Sequence, residues 1–525
     1  MHSLIEHRIP GNGLHAAKDL LARILQAREP YTMHGDITGL FDWLGDDGTE
    51  WCQEVERHRL RGSLLMSDKR MMPRPQTEEV RFLPDITAGA SVGVTFGDVA
   101  FAVSLDPPHV SRLDGPGVAT LLRNAFWALW ENARETPRAR SISKVDHTLL
   151  PERETRSSWN IPEEVLSDIR STQRTTFLMN IGAIRHSYRQ LVDLAPALDI
   201  RFSVKTNPDP RVLSALQEEG CGFEATSWHE VELARLAGAS PEKVIFSAPV
   251  QELEDLRLAH ESGVSVFVVD SVSQIDRIAK AAPDARCLVR IRTSGDHYAF
   301  INLSTKFGIP QAELIPMLHA VERAGLVPHG IAFNVGGQNE VATAWRDGIR
   351  QAHALAAECR LHGFPIEMID IGGGFPIPVH PLVPRLEQIA PTINAELSGL
   401  HYLAEPGRLI AGDAGKLVAP VVSRAVRDGR TWLYVNASIF GVLQMMDRHR
   451  FHFPITTDRV DLDAEEYVIS SLSCDGRDVI SDSTILPKGV AEGNLLFIHF
   501  VGAYSAPVFN IGYGGVRPAR VQYLD

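Results

Sequence analysis

The sequence of 525 residues lacks the features that mark membrane, secreted and disulfide-stabilised proteins. It has no run of about 18 apolar residues, so a membrane span is not expected. Its first residues show no basic segment followed by an apolar one, so a secretion signal is not expected either. The five cysteines are scattered and form no CxxC pair, which predicts a reduced, cytoplasmic protein and no metal site.

The chain also has fewer basic than acidic residues. The chain has 52 lysines and arginines against 65 aspartates and glutamates, a net charge of −13, which argues against nucleic-acid binding. Hydrophobic residues make up 44% and charged residues 22%, the composition of a soluble globular protein. The length predicts two or three domains.

Residues 1–134 are predicted to form a separate accessory domain of the α+β class. The segment Gly93–Leu105 has the pattern of a hairpin, with its turn at Gly97-Asp98. Apolar residues then repeat at helical spacing from Val118 to Trp130. Residues 135–160 are polar and rich in Arg, Ser, Thr and Pro, which indicates a linker.

Residues 161–415 contain short β-branched runs that alternate with helical segments. Alternation of this kind predicts a parallel sheet, and eight units over roughly 200 residues fit a closed (β/α)8 barrel. Residues 416–525, which follow the barrel, are predicted to form a C-terminal β-rich domain. As an alternative, the first segment of residues 161–415 belongs to this β domain and not to the barrel. The eight runs are Ile200–Val204, Cys221–Ala225, Val244–Ser247, Val264–Asp270, Cys287–Arg292, Gly330–Val335, Ile366–Ile371 and His401–Ala404.

Charged residues and glycines collect at the ends of these runs. In a (β/α)8 barrel the functional residues lie at the C-terminal ends of the strands, so we expect these side chains to meet at one rim. In chain order the candidates are Lys205, Glu224, Arg290, Asn334, Gly337, Gly372, Gly373, Gly374, Glu405 and Arg408.

This set of groups fits a phosphorylated pyridine aldehyde. A lysine beside a hydrophobic strand, such as Lys205, can form a Schiff base because burial lowers its pKa. A carboxylate that faces the ring nitrogen keeps the ring protonated, and Glu405 is the natural candidate. The glycines Gly372–Gly374 let backbone N–H groups approach a phosphate, and Arg408 adds charge. Each feature is common alone, so the prediction depends on their order at successive strand ends.

Eight motifs between residues 202 and 504 carry a family resemblance. They are Phe202-Ser-Val-Lys205-Thr-Asn207-Pro208, Gly222-Phe-Glu224-Ala-Thr-Ser227, Leu303-Ser-Thr-Lys306-Phe-Gly308, Phe333-Asn334-Val-Gly-Gly-Gln338, Asp370-Ile-Gly-Gly-Gly-Phe-Pro376, Glu405-Pro-Gly-Arg408, Cys474-Asp475 and Gly502-Ala-Tyr504. With them, the stretch from Thr175 to Asp525 resembles the fold-type III pyridoxal-phosphate (PLP) decarboxylases of ornithine, lysine, arginine and diaminopimelate. The resemblance implies an alanine racemase-like barrel with a C-terminal β domain.

The resemblance also implies roles for individual residues. Lys205 would carry PLP and Cys474 would reprotonate the substrate carbon after CO2 leaves. Asp475 would bind the distal amine of the substrate. The catalytic set is then Lys205, Cys474 and Glu405. The implied cofactor-binding residues are Lys205, Glu224, Arg290, Asn334, Gly337, Gly372, Gly373, Gly374, Glu405, Arg408 and Tyr504, and the implied substrate-binding residues are Asp475, Asp447 and Phe440.

In this family the residues around Cys474 serve the active site of the partner subunit, so a homodimer with two shared sites is expected. The Gly-Gly-Gly-Phe-Pro form after Asp370 resembles the ornithine-type branch, which implies a small basic L-amino acid such as ornithine or lysine as substrate. Three places depart from the family. Asn334 replaces a histidine that stacks on the ring, Glu224 replaces a common aspartate, and the segment Asn436–Phe440 lacks the Asp and Tyr usual there. A conjugated or carrier-bound amino acid of a natural-product or siderophore pathway, and a non-catalytic regulator on the same scaffold, are the alternatives.

Overall fold

The computed structural model describes residues 159–525 apart from 294–298, 302, 305, 380–382, 450, 511 and 513, and shorter segments between residues 5 and 135. The chain divides into two compact units, Met1–Asp146 and His147–Asp525. The expected helix at 118–130 and residues 136–158 of the expected linker lie outside the described residues.

The first unit contains an eight-stranded mixed sheet with the order β1-β7-β6-β5-β2-β3-β4-β8. The two strands of the expected hairpin are confirmed, because Phe96 pairs antiparallel with Val99; Gly97 and Asp98 lie outside the described residues. Residues 20–24 are helical, and the side chains of Leu20, Leu21 and Ile24 are buried. A helix together with a sheet agrees with the expected α+β class. The strands are β1 Ile5–Arg8, β2 Tyr31–Gly35, β3 Gly62–Met66, β4 Glu78–Phe82, β5 Ser91–Phe96, β6 Val99–Leu105, β7 Pro108–Asp114 and β8 Arg134–Glu135.

The second unit is built around a closed barrel of eight parallel strands, as the alternation of runs and helical segments predicts. The last barrel strand returns to the first, with Leu198 opposite Tyr402, and so closes the sheet. Every predicted run corresponds to one barrel strand. These strands are β10 Leu198–Ser203, β11 Gly222–Ala225, β12 Val244–Phe246, β13 Val266–Val269, β14 Arg286–Arg290, β16 Val327–Ala332, β18 Met368–Asp370 and β19 His401–Ala404.

Apolar side chains fill the inside of the barrel, and others pack the helices against its outer face. Seven buried residues from six strands form one cluster, which accounts for the near-continuous apolar runs in the sequence: Ile245, Val266, Val268, Leu288, Ala332, Met368 and Leu403. No helix among the described residues is long and apolar enough to cross a membrane. The helices of this region are Glu163–Thr172, Ile181–Leu194, Pro210–Glu218, Trp228–Leu236, Leu253–Glu261, Val272–Ala281, Leu314–Arg323, Thr343–Leu361, Leu386–Asn394 and Arg408–Ala411.

The β-rich C-terminal part is confirmed as a second sheet, with the order β22-β25-β20-β21-β23-β24. The strand β9, which precedes the barrel in sequence, pairs antiparallel with β20 and parallel with the last strand β26, so both ends of this unit join the sheet. A separate two-stranded ribbon pairs β15 Ala299–Ile301 with β17 Gly337–Asn339. The other strands are β9 Thr176–Asn180, β20 Gly415–Arg427, β21 Arg430–Val435, β22 Ile455–Thr457, β23 Ala464–Ser471, β24 Val479–Pro487, β25 Leu495–Ile498 and β26 Arg520–Leu524, and short helices lie at Gln444–His449 and Ala506–Phe509.

Candidate active site

Lys205 lies in a 3-10 turn, Val204–Thr206, immediately after the first barrel strand. Its Nζ donates to both oxygens of Glu224, at 2.8 and 2.6 Å. Glu224 is fully buried on the neighbouring strand β11 and also accepts hydrogen bonds from the hydroxyls of Ser203 and Ser247. The lysine side chain is 43% exposed, so it reaches from a buried carboxylate into the open mouth of the barrel.

Burial and charge act in opposite directions on the pKa values of this pair. Burial lowers the pKa of Lys205, but the charges of Glu224 and Glu405 outweigh it and hold that pKa above its usual range. Burial raises the pKa of Glu224, yet the charge of Lys205 and the hydrogen bonds to the carboxylate bring it below its usual value. Lys205 is therefore an ammonium and Glu224 a carboxylate.

A second pair of acidic side chains lies at the ends of the last two barrel strands. Asp370 ends β18 and Glu405 follows β19, and their side chains are hydrogen-bonded to each other. Asp370 is buried and its Oδ1 accepts from the backbone N–H of Gly372 at 2.8 Å. The Oε1 atom of Glu405 is shielded from solvent and has no hydrogen-bond partner among the described residues.

Glycines allow two rim loops to approach each other closely. A Cβ on Gly374 would lie 2.2 Å from the carbonyl oxygen of Gly336, and one on Gly372 would lie 2.5 Å from that of Phe333. Both Gly372 and Gly374 also have positive φ angles, +67° and +89°, which favour glycine. Gly373 has no room for a side chain because its Cβ would lie 2.6 Å from the carbonyl oxygen of Glu405. The predicted glycine loop is therefore a backbone cradle beside Glu405.

Arg408 is a buried cation next to this cradle. Its guanidinium carbon lies 4.6 Å from the ring centre of Phe451 and 5.2 Å from that of Tyr504. Burial lowers the pKa of Arg408, and its Nη1 has no hydrogen-bond partner among the described residues. The hydroxyl of Tyr504 accepts from Thr206 Oγ1 at 3.2 Å, so Tyr504 joins Arg408 to the turn that carries Lys205.

Three further predicted cofactor residues lie on the same side of the barrel. Arg290 ends β14, with its guanidinium carbon 5.3 Å from the ring centre of Phe307, and its charge opposes the burial that raises the pKa of Asp370. The Oδ1 of Asn334 accepts from the backbone N–H of Gly336 at 2.8 Å. This hydrogen bond holds the loop at Gly336, which approaches Gly374 closely. The histidine expected at position 334 would stack on the ring and would not make this bond. Gly337 begins the short strand β17 beyond this loop.

The predicted substrate residues form a separate group. Cys474 is exposed, and Asp475 makes a two-point ion pair with Arg477, at 3.1 Å from Nε and 2.8 Å from Nη2. The guanidinium of Arg477 lies 5.3 Å from the ring centre of Phe440. No hydrogen bond or ion pair between described residues joins this group to Lys205, Glu405 or Arg408. The side chain of Asp447 lies outside the described part of the structure.

Comparison with known proteins covers the barrel. Residues 181–412 match the family described as pyridoxal-dependent decarboxylase, pyridoxal binding domain. That range contains the whole barrel rim, from Lys205 to Arg408. The barrel of this chain belongs to the pyridoxal-dependent decarboxylases. It is an amino-acid decarboxylase that uses PLP.

Relatives of this decarboxylase include both enzymes and an inhibitor. Decarboxylase flvG of Aspergillus flavus is 27% identical over 65% of this chain and 84% of the relative. The lysine/ornithine decarboxylase of Selenomonas ruminantium is 28% identical over 66% and 90%, and antizyme inhibitor 2 of Xenopus laevis is 26% identical over 69% and 84%. The solved structure of lysine/ornithine decarboxylase complexed with cadaverine from Vibrio vulnificus matches with a TM-score of 0.63 and 27% identity, over 69% of this chain and 98% of that chain.

The residues of this decarboxylase fit PLP. The Arg408 guanidinium has a buried nitrogen without a hydrogen-bond partner among the described residues, which suits the phosphate, and the glycines at 373 and 374 leave no side chain between the loop backbone and a ligand. The unpartnered Oε1 of Glu405 is an acceptor for a protonated ring nitrogen. Lys205 supplies the amine that holds the aldehyde.

Sequence reasoning missed four residues of the decarboxylase site. Ser203 and Asp370 lie inside two of the eight motifs, at the ends of predicted strands. That position could have identified both as site residues. Ser247 ends the third predicted run and offered the same signal. Arg477 follows Asp475 by two positions, and only the folded loop shows that its side chain turns back onto that carboxylate.

Proposed function

We propose that this decarboxylase acts on a small basic L-amino acid such as ornithine or lysine and releases CO2 and a diamine. The observation that carries the proposal is the ion pair of Lys205 with fully buried Glu224, beside Glu405 at the barrel rim. The Selenomonas relative named for lysine and ornithine, and the Vibrio structure with cadaverine, support a basic substrate.

The rim residues have distinct tasks in this proposal. Bound PLP supplies an electron sink for the electron pair that remains when CO2 departs. Lys205 tethers the cofactor, and Glu405 faces the ring nitrogen and keeps it protonated. Arg408 and Tyr504 hold the phosphate together with the backbone N–H groups of Gly373 and Gly374. The low exposure of Glu224 and Arg408 keeps water away from these charges and strengthens them.

The proton for the substrate carbon has to come from outside this group. We assign it to the thiol of Cys474, supplied by the partner subunit of a homodimer. The exposure of Cys474 in the single chain supports this assignment, because a partner subunit can reach it. Asp475 and Phe440, which share Arg477 as a neighbour, would then line the distal end of the partner's substrate pocket.

The cysteines bear on where the enzyme works, and we propose the cytoplasm. The four described cysteines are all free thiols, and burial raises the pKa of Cys221 and Cys287 to about 12, which makes both unreactive. Free buried thiols of this kind suit a reducing compartment.

A second candidate substrate is favoured by one observation. The carboxylate of Asp475, expected to bind a distal ammonium, is already occupied by the guanidinium of Arg477 at 2.8 Å. The ion pair of Asp475 with Arg477 has no net charge, so it attracts a substrate ammonium less than a free carboxylate would. A conjugated amino acid that ends in a carboxylate would instead find a partner in Arg477. This ion pair supports a conjugated substrate of a natural-product or siderophore pathway as the second candidate.

The test compares substrates across three variants. Wild type, Lys205→Ala and Arg477→Leu are assayed for CO2 release from L-ornithine, L-lysine, L-arginine and meso-diaminopimelate, with the PLP absorbance band recorded. Turnover of ornithine or lysine, lost in Lys205→Ala, supports the basic substrate. If wild type binds PLP but turns over neither, and Arg477→Leu gains activity on them, the conjugated substrate is favoured. Absence of the PLP band in wild type would contradict the enzyme and favour the regulator.

The control for Arg477→Leu is Arg424→Leu. Arg424 lies in the same β-rich sheet and pairs with Glu465 at 3.2 Å, away from the predicted pocket. We expect Arg424→Leu to leave the substrate preference unchanged. An equal change in both variants would show that Arg477 acts through the stability of the sheet and not through the pocket.

A further inference from the structure

The two carboxyl groups at the ends of β18 and β19 have a property that the family assignment does not explain. Asp370 is 2% exposed and holds the backbone N–H of Gly372 with one oxygen, while its side chain also hydrogen-bonds that of Glu405. The backbone N–H of Glu405 donates to the carbonyl of Gly372 at 2.9 Å, which fixes the two residues relative to each other. One oxygen of Glu405 remains without a partner.

A hydrogen bond between two carboxyl groups needs a proton, so one of the two groups is neutral. Burial raises the pKa of Asp370 to about 6, and burial together with the charge of Asp370 raises that of Glu405 well above its usual value. The charged groups that face the pair are Lys205 and Glu224 on one side and Arg290 on the other. Because Lys205 is already paired with Glu224, it does not supply a full counter-charge, and the two carboxyls share one proton.

We propose that Asp370 is a positioning residue that takes the proton of Glu405 when the cofactor ring binds. The inference rests on the proposed function, in which Glu405 faces the ring nitrogen. The O–H bond of Glu405 breaks and an O–H bond forms on Asp370, which turns from acceptor to donor. Glu405 becomes a carboxylate that accepts one hydrogen bond from Asp370 and offers its free oxygen to the ring N–H. The proton stays within the pair, so none is released to solvent.

The variant Asp370→Asn tests this exchange. Its side-chain oxygen still accepts from Gly372, but its amide can only donate to Glu405 and cannot take a proton. A neutral Glu405 then has to release its proton to solvent before it can accept a hydrogen bond from the ring. At pH values below the pKa of Glu405 in the variant, the dissociation constant of PLP, from the absorbance of apoprotein titrated at several pH values, should therefore rise relative to wild type by about tenfold for each pH unit of acidification.

The result is expressed as the dissociation constant of the variant divided by that of wild type. The phosphate and Lys205 make PLP binding depend on pH in both proteins, so their effect cancels in this ratio. A purely structural role of Asp370 would weaken binding by the same factor at every pH. The control Glu405→Gln has no proton to exchange, so its ratio to wild type should be constant with pH even if its affinity is lower. Asp370→Ser, which is smaller and keeps a donor, replaces Asp370→Asn if the latter does not fold.

The outcomes separate this inference from the function itself. A ratio that grows with acidity for Asp370→Asn or Asp370→Ser, and stays constant for Glu405→Gln, supports the exchange. A constant ratio for the Asp370 variants overturns it while leaving the decarboxylase in place. Failure of wild type to bind PLP at any pH would overturn the proposed function as well.

Discussion

At Lys205 a single buried neighbour controls the state of the amine that must bind the cofactor. Sequence reasoning expects burial to lower the pKa of this lysine, and burial does act in that direction. The expectation of a low pKa is nevertheless wrong, because the charge of Glu224 at 2.6 Å outweighs burial and raises the pKa. The residue types and their order along the chain indicated the cofactor, but the sign of the shift depends on a distance that no sequence pattern contains.

We expect Glu224→Gln to accelerate covalent attachment of PLP to Lys205 at neutral pH. Only the neutral amine attacks an aldehyde, and removal of the carboxylate lowers the lysine pKa, so the neutral fraction grows about tenfold for each unit of decrease. Stopped-flow absorbance of apoprotein mixed with PLP across a pH series measures the rate.

The matched control is Ser247→Ala, which removes one hydrogen bond to Glu224 but leaves its charge, and should change the rate much less. An unchanged pH dependence in Glu224→Gln would mean that Glu224 does not set the protonation of Lys205.

Among the elements, the barrel strands were predictable and the strands of the second sheet less so. Most barrel strands are largely apolar and each lies between helical segments, which makes a strand stand out even when it is as short as Met368–Asp370. Strand β24, Val479–Pro487, is largely half-exposed and polar, with Ser-Asp-Ser-Thr at its centre, and was missed. The pairing of β9 with β26 joins residues some 340 positions apart, roughly the length of the whole unit, and local pattern carries no signal for such contacts.

The N-terminal rim of the barrel, opposite the active site, is held by charges between neighbouring strands. Asp199 on β10 pairs with buried Arg201 at 2.6 Å and with His401 on β19 at 3.4 Å. Burial raises the pKa of Asp199, but the hydrogen bond from His401 and the charge of Arg201 outweigh it and bring the pKa to about 2. The charges at this rim therefore serve stability rather than catalysis.

We expect Asp199→Asn to lower the free energy of unfolding by roughly 2–4 kcal/mol at neutral pH, because it leaves Arg201 buried without a counter-charge. A carboxylate whose pKa is lowered by folding stabilises above its ordinary value of 3.8 and loses that effect as the pH falls towards about 2. In urea unfolding, the difference from wild type should thus be constant at neutral pH and shrink below about pH 4.

Lys243→Ala provides the comparison, since Lys243 is 46% exposed and lies 3.6 Å from the same carboxylate. Its removal should cost less than about 1 kcal/mol. Equal unfolding midpoints for Asp199→Asn and wild type would contradict a stabilising role of this cluster.

At the scale of the whole molecule, the β-rich sheet contributes to the barrel rim in two ways. Tyr504 follows β25 and reaches the rim of its own chain, where its backbone N–H donates to the carbonyl of Thr206 at 2.9 Å. Cys474 lies in the loop between β23 and β24 and is exposed. A proton donor that is open to solvent in the single chain is the arrangement expected if two chains complete each other's sites.

Mixed dimers decide whether the site is shared. Lys205→Ala and Cys474→Ala chains are each expected to form little amine product alone. If subunits exchange in an equal mixture, half of the dimers contain one chain of each kind, and one of the two sites in such a dimer has both Lys205 and Cys474, so about a quarter of wild-type activity should return. Amine formation is the readout, since a site that lacks only the proton donor can still release CO2. If each chain used its own Cys474, mixing would restore no activity, because every site would contain one of the two substitutions.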